Sequence, residues 1–145
     1  MSMTRDEAKR ETVAAIEAAA EDIYALARDI LAHPEPGYRE ERTAGVVAAA
    51  FERLGLAPRG GLALHGVRAT LAGRSAGPRA AVLGELDSLI VPDHPHADPI
   101  TGAAHACGHH GQVAAMIVWP AVCWTAASWG SWTAASPCSA FLPKN

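Results

Sequence analysis

From Asp6 to about Ala32 the apolar residues Val13, Ile16, Ile23, Leu26 and Ile30 recur three, four or seven apart, with Asp, Glu and Arg between them. That period predicts one amphipathic helix. The run His33-Pro34-Glu35-Pro36-Gly37 ends it, because a residue before proline is pushed out of the helical region. A second helix is predicted from about Arg39 to Leu54, with Val46, Val47, Ala50, Phe51 and Leu54 facing inward and Gly55 closing it. Leu62 to Leu71 alternates loosely up to Gly73 and predicts a strand. Between Arg79 and Leu89, the apolar run from Ala80 to Gly84 predicts a buried strand that delivers Asp87 at its carboxyl end. Ile90 to Gly102 is a proline-rich loop carrying His94, His96 and Asp98, and Gly108 to Met116 opens a further helix. Helix, helix, strand, strand and helix predict an α/β layered domain.

Periodicity fails beyond about Ile117. All four tryptophans, Cys123 and Cys138 lie there, Trp-Thr-Ala-Ala-Ser occurs twice, and no Asp or Glu follows Asp98. Pro120 interrupts the one long apolar run, so no membrane span is expected. The chain therefore divides into a domain-like part, 1–117, and a tail, 118–145, expected to be poorly structured.

Composition narrows the function classes. A length of 145 residues, 50% hydrophobic and 19% charged, fits one globular domain. A net charge of -3 without a basic stripe argues against a nucleic-acid surface, which needs cations to neutralise phosphates. The amino terminus has no apolar stretch behind its charges, so no secretory signal is read. Three cysteines without framework spacing fit a reducing compartment, with the cytoplasm as the expected location.

The richest chemistry lies in His105-Ala106-Cys107-Gly108-His109-His110. A thiol and an imidazole one glycine apart can aim sulfur and nitrogen at one cation, and zinc accepts both donors. Cys107 and His109 are the candidate ligands, with a buried structural thiol and a satisfied turn histidine as the plain alternatives. His105 is expected to be structural or at a substrate edge rather than a ligand. His110 is either an extra ligand or a helix-start residue. Asp87 either has a role at the site or merely caps its strand, and Glu85 is either a supporting carboxylate or a salt-bridged strand residue. His94 and His96 are assigned to solvent.

Gly84-Glu85-Leu86-Asp87-Ser88-Leu89, followed by His105-Ala106-Cys107-Gly108-His109, resembles the dinuclear-metal amidohydrolase and metallopeptidase family that includes aminoacylases and carboxypeptidases. The likeness is nearer to its branch acting on aminobenzoyl-glutamate and indole-acetyl-amino-acid conjugates. His33 to Tyr38, with Glu40 and Glu41, resembles that branch's early helix-loop segment, and the resemblance covers about residues 6–117. It implies a partial zinc-peptidase-like three-layer α/β sandwich, of which residues 1–117 form the N-terminal part of the catalytic domain. It also implies metal-activated water attacking the amide bond of an N-acyl amino acid or small dipeptide-like substrate. Zinc is favoured by the thiolate, with manganese as the alternative. By resemblance Cys107 and His109 ligate, Asp87 is the catalytic-site carboxylate that orients a ligating imidazole, and the general-base Glu has no counterpart in this chain. Relatives carry His where Glu85 stands, Asp where His110 stands, and often His where Gln112 stands. Self-association is expected only of a full-length parent.

Such proteins continue to a Pro-Ala-Glu-Glu element about as far beyond the Cys as this chain extends. Read one base out of frame, with permissive codon choice, residues 118–145 give a string ending Val-Ala-Leu-Phe-Gly-Val-Pro-Ala-Glu-Glu. The tail is thus expected to be a frameshift product, leaving a truncated chain that binds metal weakly and catalyses little. Two other classes compare poorly. A small zinc-binding interaction module needs a second Cys/His pair, and a thiol redox protein needs Cys-x-x-Cys.

Overall fold

A computed structural model describes residues 4–71, 80–127 and 138–141. Two helices, α1 (Arg5–Ala18) and α2 (Ala20–Ala32), stand where the periodicity predicts one. The break falls at Ala19, whose backbone (φ -92, ψ 0) leaves the helical ladder. A capping box opens α1: the Thr4 hydroxyl accepts from Glu7 N, and the Glu7 carboxylate accepts from Thr4 N at 2.7 Å. No residue of α1 is buried, whereas Ile30 of α2 is fully so.

Helix α3 (Glu41–Arg53) follows the predicted second helix and buries Thr43, Ala44, Val47, Ala50 and Phe51. It closes as the sequence anticipates. Gly55 adopts φ +69, Gly55 N donates to Glu52 O at 2.8 Å, and Leu56 N donates to Phe51 O at 3.0 Å. These paired bonds satisfy carbonyls that the helix end would otherwise leave bare.

The single strand expected over 62–71 is instead a hairpin of β1 (Arg59–Leu62) and β2 (Gly66–Leu71), paired antiparallel. Its turn places Ala63 at φ +46 and Leu64 at φ +82, a region that non-glycine residues seldom adopt. The expected end at Gly73 lies outside the described residues. Strand β3 (Ala80–Leu83) precedes Asp87, but it is not buried on both faces: Leu83 is half exposed, while Val82 packs toward the core. Strands β4 (Leu89–Ile90) and β5 (Ala103–Ala104) pair antiparallel and staple the proline-rich loop between them.

Helix α4 (His109–Ala127) starts near the predicted position and runs on past Ile117, carrying Pro120 inside it. Proline has no N–H for the helical ladder, so a carbonyl one turn earlier loses its intrahelical partner there. Farther along, Cys138–Phe141 form β6. This strand lies between β2 and β3 in the order β1-β2-β6-β3, antiparallel to β2 and parallel to β3. The expectation of a poorly structured tail covers these residues as well as residues 128–137 and 142–145, which lie outside the described ones.

Helices α3 and α4 cover one face of the four-stranded sheet. Val67 and Ala69 of β2 point into a core with Ile30, Val47, Phe51, Val113 and Met116, while Arg68 and Thr70 lie on the opposite, exposed face. The described residues thus form two layers of the expected sandwich, a mixed α/β arrangement. Among the described residues no helix is long and apolar enough to cross a membrane.

Candidate active site

Asp87 ends an irregular stretch, Gly84–Asp87, that leaves β3 at its carboxyl end. It is buried, and so is His109 at the first turn of α4. The His109 Nδ1 lies 2.8 Å from Asp87 Oδ1 and 2.8 Å from the Asp87 carbonyl oxygen. Both partners are acceptors, so Nδ1 carries the proton and donates to them. That fixes the ring plane and turns Nε2 the other way, the arrangement by which a carboxylate orients an imidazole for ligation. Nε2 then meets Glu85 Oε2 at 2.9 Å. Glu85, expected as either a supporting or a salt-bridged carboxylate, faces this nitrogen, and the pair is ionic only when the ring carries a proton on both nitrogens.

The other sequence candidates are placed less uniformly. Cys107 carries a free, exposed thiol. Histidines 105 and 110 pack edge to face, with centroids 5.3 Å apart. His105 is buried, and neither ring nitrogen makes a hydrogen bond of good geometry, while Nδ1 of His110 is also buried without a partner. Burial drives the His105 pKa down to about 4, helped by the neighbouring His110 and His109 rings. The His110 pKa is lowered by the same burial and by His109. An unpartnered buried imidazole is costly to charge, so the His105 ring is neutral at neutral pH. Away from this corner, the His94 and His96 rings lie tilted against each other, 5.8 Å apart, on the loop, and Asp98 accepts from Ile100 N, Thr101 N and the Thr101 hydroxyl.

Residues to which the sequence reading gave no role hold the corner together. Gln112 Oε1 accepts from Glu85 N at 2.7 Å, so the position where relatives often carry His here secures the backbone ahead of Asp87. Glu35 accepts through Oε1 from Arg42 N (3.0 Å), and through Oε2 from Thr43 N and the Thr43 hydroxyl (both 2.7 Å). The Glu35 carbonyl accepts from Ser88 N and Ser88 Oγ, both at 2.8 Å. A carboxylate eight residues before a buried Thr is the only sequence trace of this link.

As a metal centre the corner is incomplete. Among the described residues no three His, Cys, Asp or Glu side chains converge closely enough to hold a cation. What does fit is the chemistry of His109, whose Nδ1–H is donated to a carboxylate while Nε2 faces a possible oxygen ligand.

Comparison with known proteins adds the family. No family profile matches the chain. A Bacillus subtilis protein named as the amidohydrolase YhaA is 34% identical over 67% of the chain and 25% of its own length. The N-acyl-L-amino acid amidohydrolase of Geobacillus stearothermophilus is 30% identical over 79% of the chain and 31% of its own length. The chain belongs to the amidohydrolase and metallopeptidase family of these relatives. It spans about a quarter to a third of the curated relatives it matches. Two crystal structures share its fold. One is a dinuclear metal-binding peptidase of the M20 family from Bacillus subtilis, at TM-score 0.69, 24% identity, 87% of this chain and 35% of that one. The other is described as an aminohydrolase from methicillin-resistant Staphylococcus aureus, at TM-score 0.74, 19% identity, 92% of this chain and 35% of that one. The partial zinc-peptidase-like α/β fold predicted from sequence is thereby matched in known structures.

Proposed function

We propose that this chain is the N-terminal part of a metal-dependent hydrolase that cleaves amide bonds of N-acyl amino acids or small peptide-like conjugates, and that by itself it is inactive. The observation that carries the reading is the Asp87–His109 pair at the end of β3, one glycine from Cys107. The relatives' names supply the amide substrate class.

A divalent cation in such a site would polarise the scissile carbonyl and make water nucleophilic at neutral pH. Zinc is the preferred ion because a thiolate is among the donors, with manganese the alternative. His109 would ligate through Nε2 and Cys107 through its sulfur, with Glu85 in reach as an additional ligand. Asp87 holds the His109 proton on Nδ1. Its buried carboxylate keeps that tautomer fixed, leaving the opposite nitrogen to the cation. His105 and His110, packed edge to face on each other, are better suited to lining the site than to binding metal. A catalytic zinc takes three protein ligands, and His109 and Cys107 supply two. The general-base Glu and a ligating Glu would come from the displaced frame of residues 118–145, and two further histidines from farther along the parent protein.

The reducing, cytoplasmic location is supported by three cysteines that lack disulfide spacing.

Metal titration of the purified chain tests the site, with Cys107→Ser and His109→Ala beside it. The wild type should take up zinc weakly and both variants less, and equal uptake by all three would refute the ligands. Restoring the displaced frame should confer hydrolysis of N-acetyl amino acids. A frame-restored, folded, zinc-loaded protein without that activity would refute the function.

A further inference from the structure

We infer that Glu35 is a positioning residue for the candidate site, holding Asp87, and through it the His109 ring, against the core helix α3. The inference rests on the reading of Asp87 and His109 as site residues. Asp87 itself lies in no strand: β3 ends at Leu83 and β4 begins at Leu89. Beside the bonds Asp87 makes itself, its place is set by what its neighbours touch. On one side Gln112 holds Glu85 N. On the other, Ser88 gives both its N–H and its hydroxyl to the Glu35 carbonyl, and Ser88 forms a parallel bridge with Pro36.

Glu35 is fixed in turn. Its carboxylate accepts three bonds from Arg42 and Thr43 at the start of α3. Thr43, Val47 and Phe51 on that helix are fully buried, and Arg42 is clamped to Asp29 of α2 at 2.8 and 2.9 Å. Acceptor-only carboxylate oxygens on helical N–H groups make strong, directional bonds. The same residue thus ties core helix to loop through its side chain, and loop to site through its carbonyl. Two residues on, Gly37 passes so close that a Cβ there would stand 3.9 Å from Asp87 Oδ2. If Glu35 served only to cap α3, its carbonyl bonds to Ser88 would be incidental to the His109 ring.

The test uses the metal-free full chain with nitrogen-15 histidine, reading the His109 Nδ1–H resonance by NMR in Ser88→Ala, Glu35→Ala and Glu35→Gln. Both alanine variants should exchange that ring proton with water about tenfold faster than wild type, as the loss of one bond in the path predicts. Glu35→Gln, which keeps one acceptor oxygen, should recover part of the protection. A His109 resonance unchanged in Ser88→Ala and in a folded Glu35→Ala overturns the inference. Should Glu35→Ala not fold, an unchanged Ser88→Ala overturns it alone. Because no metal or substrate enters the measurement, this outcome is independent of whether the chain binds zinc or its parent cleaves amides.

Discussion

The corner around Asp87 and the middle of the sheet are built on opposite terms. In the corner most links need a particular side chain: the Asp87 carboxylate on His109, Glu85 beyond it, Gln112 behind, Glu35 on the Thr43 hydroxyl. In the sheet, Cys138–Phe141 pairs on both edges through backbone N–H and C=O groups, which every residue but proline carries in full. A segment with no alternation of apolar and polar residues can therefore fill the slot. Side-chain identity governs the site, and backbone pairing governs the sheet.

Breaking the backbone term should have the largest effect. Ala140 stands opposite Ala69 on one side and Val82 on the other, so Ala140→Pro removes an N–H from a strand that is paired along both edges. A loss of about 3 kcal/mol is expected from the missing ladder bond and the ring's steric demand, seen as a lower urea midpoint. Ser139→Thr, which keeps the backbone groups, should stay within about 0.5 kcal/mol. Equal destabilisation by both would mean that side chains, not pairing, hold this strand.

In the corner the order of sensitivity reverses. Asp87→Ala leaves the buried Nδ1–H of His109 with only a carbonyl to accept it, and about 2 kcal/mol should be lost. Asp87→Asn, nearly the same shape and still an acceptor, should cost about 1 kcal/mol. Chemical denaturation of the pair separates them, and identical midpoints would argue that the carboxylate's charge and reach are immaterial. Gln112→Ala, which frees Glu85 N, should cost about 1 kcal/mol on the same scale.

How much of this could be read from sequence follows the same division. Helix α3 was legible because a helical apolar period and a terminal Gly55 agree with each other. The break between α1 and α2 was not, because Ala19 is a good helix former and no Gly or Pro marks it. The β1–β2 hairpin was hidden for a related reason. Its turn spends positive φ on Ala63 and Leu64, where Asn or Gly would have announced it. The Asp87–His109 pair was implied by the resemblance of Gly84–Leu89 and His105–His109 to the family, and spacing alone did not give it. Glu35 and Gln112 could not be anticipated, since their bonds join residues 53 and 27 positions away in the chain. The expected burial of β3 failed on Leu83, whose face of the sheet has no covering layer among the described residues.

Cys107 sharpens the comparison from its weakest side. Its thiol is exposed and has no structural partner among the described side chains, so packing gives it nothing to stabilise. Cys107→Ser should therefore move the unfolding free energy by no more than about 0.5 kcal/mol, less than any change made at Asp87 or Gln112. If the thiolate is a ligand, the same substitution should nonetheless lower zinc uptake, because serine's oxygen is a poorer donor to zinc than sulfur. The two readouts must separate: stability unmoved while metal affinity falls. A stability loss matching that of Asp87→Ala, with zinc uptake intact, would place Cys107 among the residues that hold the corner rather than those that face a cation.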